Sequence, residues 1–200
     1  MSLLLASTSP RRSALLGELA TAQGWSFRVA DPGVSDAAED ALVQALGRAR
    51  PPVPPAQVVE RLAVAKLLAG LRLAAPGETV LAADTTVALG AEMLGKAPDR
   101  AVARDMLWRL RGTTHEVHTG VAVADARGRL RRGVATSEVR FREFAAEVLE
   151  RYLDSGAWVG KAGAYGVQDE DAAPLVEEVR GSRSNVIGLP LELVEELLRS

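Results

Sequence analysis

The sequence predicts an α/β fold, and three observations carry that expectation. Short apolar runs that suit buried strands, residues 3–6 and 79–83 foremost, recur between segments of helical periodicity. The first run passes through Ser9-Pro10 directly into a helical pattern, which is a strand–turn–helix unit. Breaker clusters such as Asp31-Pro32-Gly33, Asp125-Ala126-Arg127-Gly128 and Ser155-Gly156 punctuate the chain between these segments.

Taken in order, Leu3, Leu4, Leu5 and Ala6 form the first strand. Ser9 suits an N-cap, and Pro10 the first helical position, where its missing N–H costs nothing. Ala14, Leu15, Leu16 and Leu19 then make the apolar face of a helix. Residues 25–30 are a second strand. A short helix over 37–48 runs through Leu42, Val43 and Leu46, and the proline-rich residues 50–55 form a stiff, extended surface connection. A long helix is expected over 56–73. Residues 79–83 are a buried strand ending at Asp84, and 86–89 continue toward a turn at Gly90. Pro98-Asp99 opens a helix that faces Ala103, Met106, Leu107 and Leu110 inward. Strands at 117–123 and 135–141 flank the turn at Asp125, and a helix over 144–153 stops at Ser155-Gly156. Short strands at 165–168 and 175–179 and an amphipathic helix at 189–198 complete the pattern. No internal repeat is present.

The chain of 200 residues suits one domain, residues 1–200, with room for two lobes, and 48% hydrophobic residues suffice for a substantial core. A net charge of −2 argues against a nucleic-acid or membrane-surface binder and fits a small anionic ligand held by a local cation cluster. The absence of cysteine excludes disulfides, thiolate metal sites and thiol catalysis, and is compatible with the cytoplasm. The apolar run at residues 3–5 is too short for a signal sequence, and Lys66 and Arg72 interrupt the most apolar region. A soluble, cytoplasmic protein without a membrane span is expected.

Arg11 and Arg12 are the most telling residues. A helix N-terminus carries partial positive charge, so each cation there is disfavoured by roughly 0.3–1 kcal/mol, while the same place attracts anions. A polyanion such as a nucleotide phosphate would resolve the conflict; pairing with nearby Asp or Glu, or exposure to solvent, is the ordinary alternative. Asp84, closing an apolar strand, is placed to hold a divalent cation or orient a water, or else to cap a turn. Thr85 beside it is a hydroxyl contact or another strand residue. Lys66 shares a helix face with Val59, Leu62, Ala63 and Gly70, so it either snorkels to the surface or enters a cleft. Lys96 ends a near-match to a P-loop that fails where Ala97 replaces the magnesium-binding Ser or Thr; it remains a candidate phosphate contact. His115 and His118 fall on opposite faces of a strand without a third ligand, which makes zinc improbable. Ser7, Ser9 and Ser182 lack a catalytic-triad context. The glycines around Ala164 and Tyr165 permit close backbone approach to a ligand.

The motifs Leu5-Ala6-Ser7-Thr8-Ser9-Pro10-Arg11-Arg12, Ala83-Asp84-Thr85-Thr86-Val87, Leu94-Gly95-Lys96, His118-Thr119-Gly120-Val121, Lys161-Ala162-Gly163-Ala164-Tyr165-Gly166-Val167-Gln168, Gly181-Ser182 and Asn185-Val186-Ile187-Gly188-Leu189-Pro190 occur in this order over nearly the whole chain. Together they resemble the Maf family of nucleoside triphosphate pyrophosphatases, and Arg11, Thr85 and Gln168 resemble its dTTP- and UTP-hydrolysing branch. The resemblance implies a Maf/ITPase-like mixed twisted sheet flanked by helices, with two lobes around a central cleft. It implies hydrolysis of dTTP, UTP and related modified pyrimidine nucleotides to the monophosphate and pyrophosphate with Mg²⁺ or Mn²⁺, in a house-cleaning role. Asp84 would match the family's proton acceptor, Ser7, Arg11, Arg12, Lys66 and Lys96 its phosphate-binding set, and Thr85 and Gln168 its base-selecting residues. Family members are often dimers, so a homodimer is implied.

Four departures stand out. Where the family usually carries a glutamate after the second strand, this chain has Ser35-Asp36, which nominates Asp36 as a shorter metal ligand. Residues 37–55 are longer than expected and can reshape the cleft rim. Asp169 follows Gln168 where glycine is common, and Arg183 replaces an aromatic; either can alter base preference. Two alternatives stay open: a purine-preferring, inosine-triphosphate-type pyrophosphatase, and a non-hydrolysing nucleotide-binding regulator of septum formation.

Overall fold

The computed structural model describes residues 1–199. In chain order its elements are β1 (Ser2–Ala6), α1 (Pro10–Gln23), β2 (Ser26–Ala30), α2 (Asp36–Gly47), α3 (Pro55–Gly70), β3 (Thr79–Leu89), β4 (Glu92–Leu94), α4 (Arg100–Leu110), β5 (Thr114–Ala124), β6 (Leu130–Phe141), α5 (Ala146–Asp154), β7 (Val176–Arg180), α6 (Arg183–Ile187) and α7 (Leu191–Arg199). The strands form one sheet in the order β2-β1-β3-β5-β6-β7, with β4 pairing back on β3. β1 runs parallel to β2 and β3, and the other pairs are antiparallel. The sheet is therefore mixed, as expected of the α/β class. Among the described residues no helix is long and apolar enough to cross a membrane.

The sheet carries separate cores at its two ends. Odd-numbered residues of β1, β3 and β5, such as Leu5, Leu81 and Val121, pack under α1 and α7. Even-numbered ones, such as Leu4, Val80 and Ala122, pack under α3. Beyond them Val87 and Val117 join α4, α5 and Phe141 in a third cluster. Between these clusters β3 and β5 turn polar together: Asp84 faces Gly120 in register, Thr85 faces Thr119 and Thr86 faces His118. This polar band divides the two lobes and floors the cleft.

α3 lies unusually close to the sheet. A Cβ on Gly120 would stand 2.4 Å from the Val59 carbonyl oxygen, and one on Gly70 would stand 2.5 Å from the Ala6 Cβ. Each contact survives only without a side chain, so glycine at both positions sets how near the helix can sit.

Several expectations are corrected. Asp84 does not end a strand; β3 runs unbroken from Thr79 to Leu89. Its position at a sheet edge is recovered differently, because β1 stops at Ala6 and β3 passes beyond it. Residues 165–168 form no strand but irregular backbone ending in a turn at Val167-Gln168, since Gly163 (φ 64°) and Ala164 (φ 61°) just before them twist the chain out of the extended region. Phe144 precedes α5 and is buried in the core outside it. Ala14 is exposed, the buried face of α1 being Leu15, Leu16, Leu19 and Ala20. The short α6 follows from a cap not anticipated above, with the Ser182 hydroxyl accepting from the Asn185 amide.

Candidate active site

The nine residues to which the resemblance and its departures give catalytic, phosphate, base or metal contacts line one cleft of about 720 Å³: Ser7, Arg11, Arg12, Asp36, Lys66, Asp84, Thr85, Lys96 and Gln168; Asp169 and Arg183 lie outside its lining. The floor comes from β3, which alternates its side chains. Asp84 points to the α3 face and Thr85 to the α1 and α6 face.

On the α3 face, Lys66 does not snorkel. Its Nζ lies 2.5 Å from Asp84 Oδ1 and 2.9 Å from Glu39 Oε1, with side chains 11%, 11% and 18% exposed. The close approach of α3 at Gly120, opposite Asp84, brings the lysine into reach. Glu39 was not singled out by the sequence reasoning. It follows Asp36 by three residues on α2, so both project from one helix face toward the cleft. Asp36 itself meets Lys96 Nζ at 2.8 Å at the exposed mouth, and this hydrogen bond holds its carboxyl below the usual range.

On the other face, α1 begins as its sequence demands, with the Ser9 hydroxyl accepting from the Arg12 amide. Arg12 then turns back across the cleft floor, donating through Nε to the Gly188 carbonyl at 2.9 Å, through Nη2 to Thr85 Oγ1 at 3.1 Å and through Nη1 to Ser7 Oγ at 3.4 Å. Burial lowers its pKa, the fields of Asp84 and Glu39 opposing that shift and Arg11 adding to it. Arg11 reaches the Gly160 carbonyl at 3.4 Å on the opposite lobe. Among the described residues neither arginine forms a salt bridge, so the ordinary pairing with Asp or Glu is not what is found. Thr85 is tied to Arg12, to Thr119 Oγ1 at 3.0 Å and to the Gly188 carbonyl. Buried Asn185 fastens α6 to β5 and β6 through Val117 O and Ser137 Oγ.

The far wall is the loop after α5. Tyr152 donates to the Ala164 carbonyl at 3.1 Å, Tyr165 OH meets His115 Nε2 at 2.7 Å, and Arg183 holds the Val167 carbonyl at 2.5 Å. Both histidines are structural: His115 is buried beside Phe141 and Tyr165, and His118 meets Thr136 at 2.9 Å. Gln168 is exposed at the end of this wall, and Lys161 lines the cleft while paired with Asp169.

Cations from α1, α3 and the loop after β4 thus surround an acidic group on the floor of an α/β sheet, and among the described residues two of them, Arg11 and Arg12, form no salt bridge. That defines a protein built to hold a polyanion beside a carboxylate. The family model described as Maf-like protein matches residues 2–200, and the chain belongs to that family. It is 43% identical over 201 residues to a dTTP/UTP pyrophosphatase from Cupriavidus pinatubonensis, covering 98% of this chain and 95% of that one. It is 44% identical over 200 residues to a dTTP/UTP pyrophosphatase from Anaeromyxobacter dehalogenans, covering 98% and 92%. Among solved structures, a HAM1 protein from Coxiella burnetii shares the fold at a TM-score of 0.54 and 13% identity, each chain fully covered.

Proposed function

We propose that this chain hydrolyses the triphosphates of uridine and thymidine, releasing pyrophosphate and the nucleoside monophosphate. The observation that carries the reading is that Arg11 and Arg12, which form no salt bridge among the described residues, face the same cleft as the Lys66–Asp84–Glu39 triad. The names of the relatives that match almost the full chain point to the same substrates.

The residues take these roles. Arg12, already oriented by Gly188, Thr85 and Ser7, and Arg11 and Lys96 at the mouth neutralise phosphate oxygens. Asp84 accepts the proton of the water that attacks the α-phosphorus, a contribution typically on the order of 10²–10⁴-fold. Lys66 keeps that carboxylate and Glu39 together and aimed into the cleft. Negative charge develops on the leaving pyrophosphate, so catalysis rests on positioning and on charge neutralisation more than on covalent chemistry. Gln168, across the cleft from the phosphate-binding helix, faces the base.

The donor set fits a divalent cation such as Mg²⁺ or Mn²⁺. The carboxylates of Asp84 and Glu39, both paired with the Lys66 ammonium, are the hard oxygen donors that such an ion takes. Asp84 and Glu39 would hold it, with Asp36 on the same rim beside Lys96. When bound, it supplies Lewis-acid neutralisation of the phosphoryl oxygens.

The test is pyrophosphate release over a panel of pyrimidine and purine triphosphates, with Mg²⁺ and with a chelator. Release from UTP and dTTP is expected, lost with chelator and in Asp84→Asn. Purine preference, nucleotide binding without turnover, or full activity of Asp84→Asn would refute the reading.

A further inference from the structure

We infer that Asp169 is a specificity-determining residue that locks the Gln168 side-chain amide in one orientation, so that the cleft accepts uracil and thymine and rejects cytosine. The inference rests on the hydrolase reading above and on Gln168 facing the base.

The geometry is local and well braced. Gln168 Nε2 donates to Asp169 Oδ1 at 3.0 Å, while the other carboxylate oxygen, Oδ2, accepts from Lys161 Nζ. Lys161 is itself held, its Nζ donating to the Ala157 carbonyl at 2.5 Å. The pair folds back over Gly166: a Cβ there would lie 2.6 Å from both Gln168 Nε2 and Asp169 Oδ2. The arrangement therefore needs glycine at 166 and a carboxylate at 169 together. Beneath it the wall is pinned by Tyr152, by the Tyr165–His115 contact and by Arg183 on the Val167 carbonyl. Gln168 is exposed, and its amide nitrogen is held by the braced Asp169 carboxylate.

The chemistry follows from what an amide offers. Uracil and thymine present a donor at N3 beside an acceptor at O4; cytosine presents an acceptor at N3 beside a donor at N4. A glutamine satisfies either edge, but only by exchanging the positions of its oxygen and nitrogen. With Asp169 in place, that exchange would set Oε1 against Oδ1, two acceptors without a hydrogen between them, and would forfeit a charge-assisted bond. Nε2 is thereby committed to the Asp169 side, and Oε1 is left to accept the N3–H of uracil or thymine. Rejecting an isostere with a mispaired polar edge discriminates far better than a difference in shape.

The experiment compares kcat and KM on UTP and CTP for the wild-type chain, Asp169→Asn, Lys161→Met and Gln168→Ala, with Tm measured for each. Asp169→Asn fills the same space but its own amide can turn, so the ratio of kcat/KM for UTP over CTP is expected to fall about tenfold, roughly the worth of one hydrogen bond to a charged group. The change should appear in KM, lower for CTP and higher for UTP. A purely structural role would depress both nucleotides alike, together with Tm, and leave the ratio standing. An unchanged ratio in Asp169→Asn beside a collapsed one in Gln168→Ala overturns the lock, as does a wild-type enzyme that cleaves UTP and CTP equally; both leave the hydrolase reading intact. Absence of pyrophosphate release from every pyrimidine triphosphate overturns that reading and this inference with it.

Discussion

Replacing Lys66 with methionine tests the centre of the site most directly. Lys66 Nζ is shared by Asp84 Oδ1 at 2.5 Å and Glu39 Oε1 at 2.9 Å, and methionine keeps the stem while removing the charge. Removing one partner of a buried ion pair costs about 3–5 kcal/mol, because the survivor remains desolvated without compensation. Here two carboxylates are stranded side by side, but all three side chains keep 11–18% exposure toward the cleft, which lets water relieve part of the strain. The lower end, about 3 kcal/mol, is therefore expected. For a chain of this size that is a Tm fall of roughly 6–12 °C. Urea denaturation followed by circular dichroism gives the free energy. The double variant Lys66→Met with Asp84→Asn removes the charge from both partners and should recover part of the loss, giving a coupling of roughly 2 kcal/mol in the cycle. A Lys66→Met chain within roughly 0.5 kcal/mol of wild type, or strictly additive losses, would refute the reasoning.

Other outcomes follow from neighbouring contacts. Gly120→Ala sets a methyl 2.4 Å from the Val59 carbonyl, where backbone cannot yield cheaply, so a loss of roughly 1–3 kcal/mol and of activity is expected as α3 and Lys66 retreat; an unaltered Tm would contradict the close approach. Arg12→Met should weaken nucleotide binding roughly tenfold to a hundredfold by calorimetry, and an unaltered Kd would show that the guanidinium serves only Gly188 and Thr85. Burial lowers His115 from 6.5 to about 4, so the unfolded chain binds its proton first as pH falls. Stability from this residue is complete above pH 6.5 and is lost progressively between 6.5 and about 4, to a total of roughly 3 kcal/mol. The loss is read as the difference in urea midpoints at pH 7.5 and 4.5 between wild type and His115→Gln, and equal pH dependence in both would contradict it.

Much of the fold was legible because it is locally encoded. The Ser9-Pro10 cap, the hairpin turn at Gly90, the Asp99 cap of α4 and the buried apolar run that opens β3 each follow from neighbours in sequence. The segments that escaped the reading are those whose backbone is set from outside. Residues 165–168 look extended by composition, but Gly163 and Ala164 at positive φ and the grip of Tyr152 and Arg183 bend them away from a strand. Asp84 closes the apolar run of residues 80–83 in sequence, yet it sits mid-strand because Gly120 and Thr119 continue the ladder beside it.

By itself the sequence determined the chemical types and their order: arginines placed against a helix dipole, an aspartate inside an apolar run, a lysine on an apolar face. It could not determine partners, since periodicity names a face without naming what lies opposite. Lys66 had two options open, and only the packing of α3 at Gly70 and Gly120 turned it onto Asp84. Glu39 and Asp36 are alike on paper, and their positions on α2 decided which meets Lys66 and which meets Lys96. Such choices belong to tertiary structure because they are made across the fold, where strand register and helix height place a charge within three ångströms of another or leave it in water.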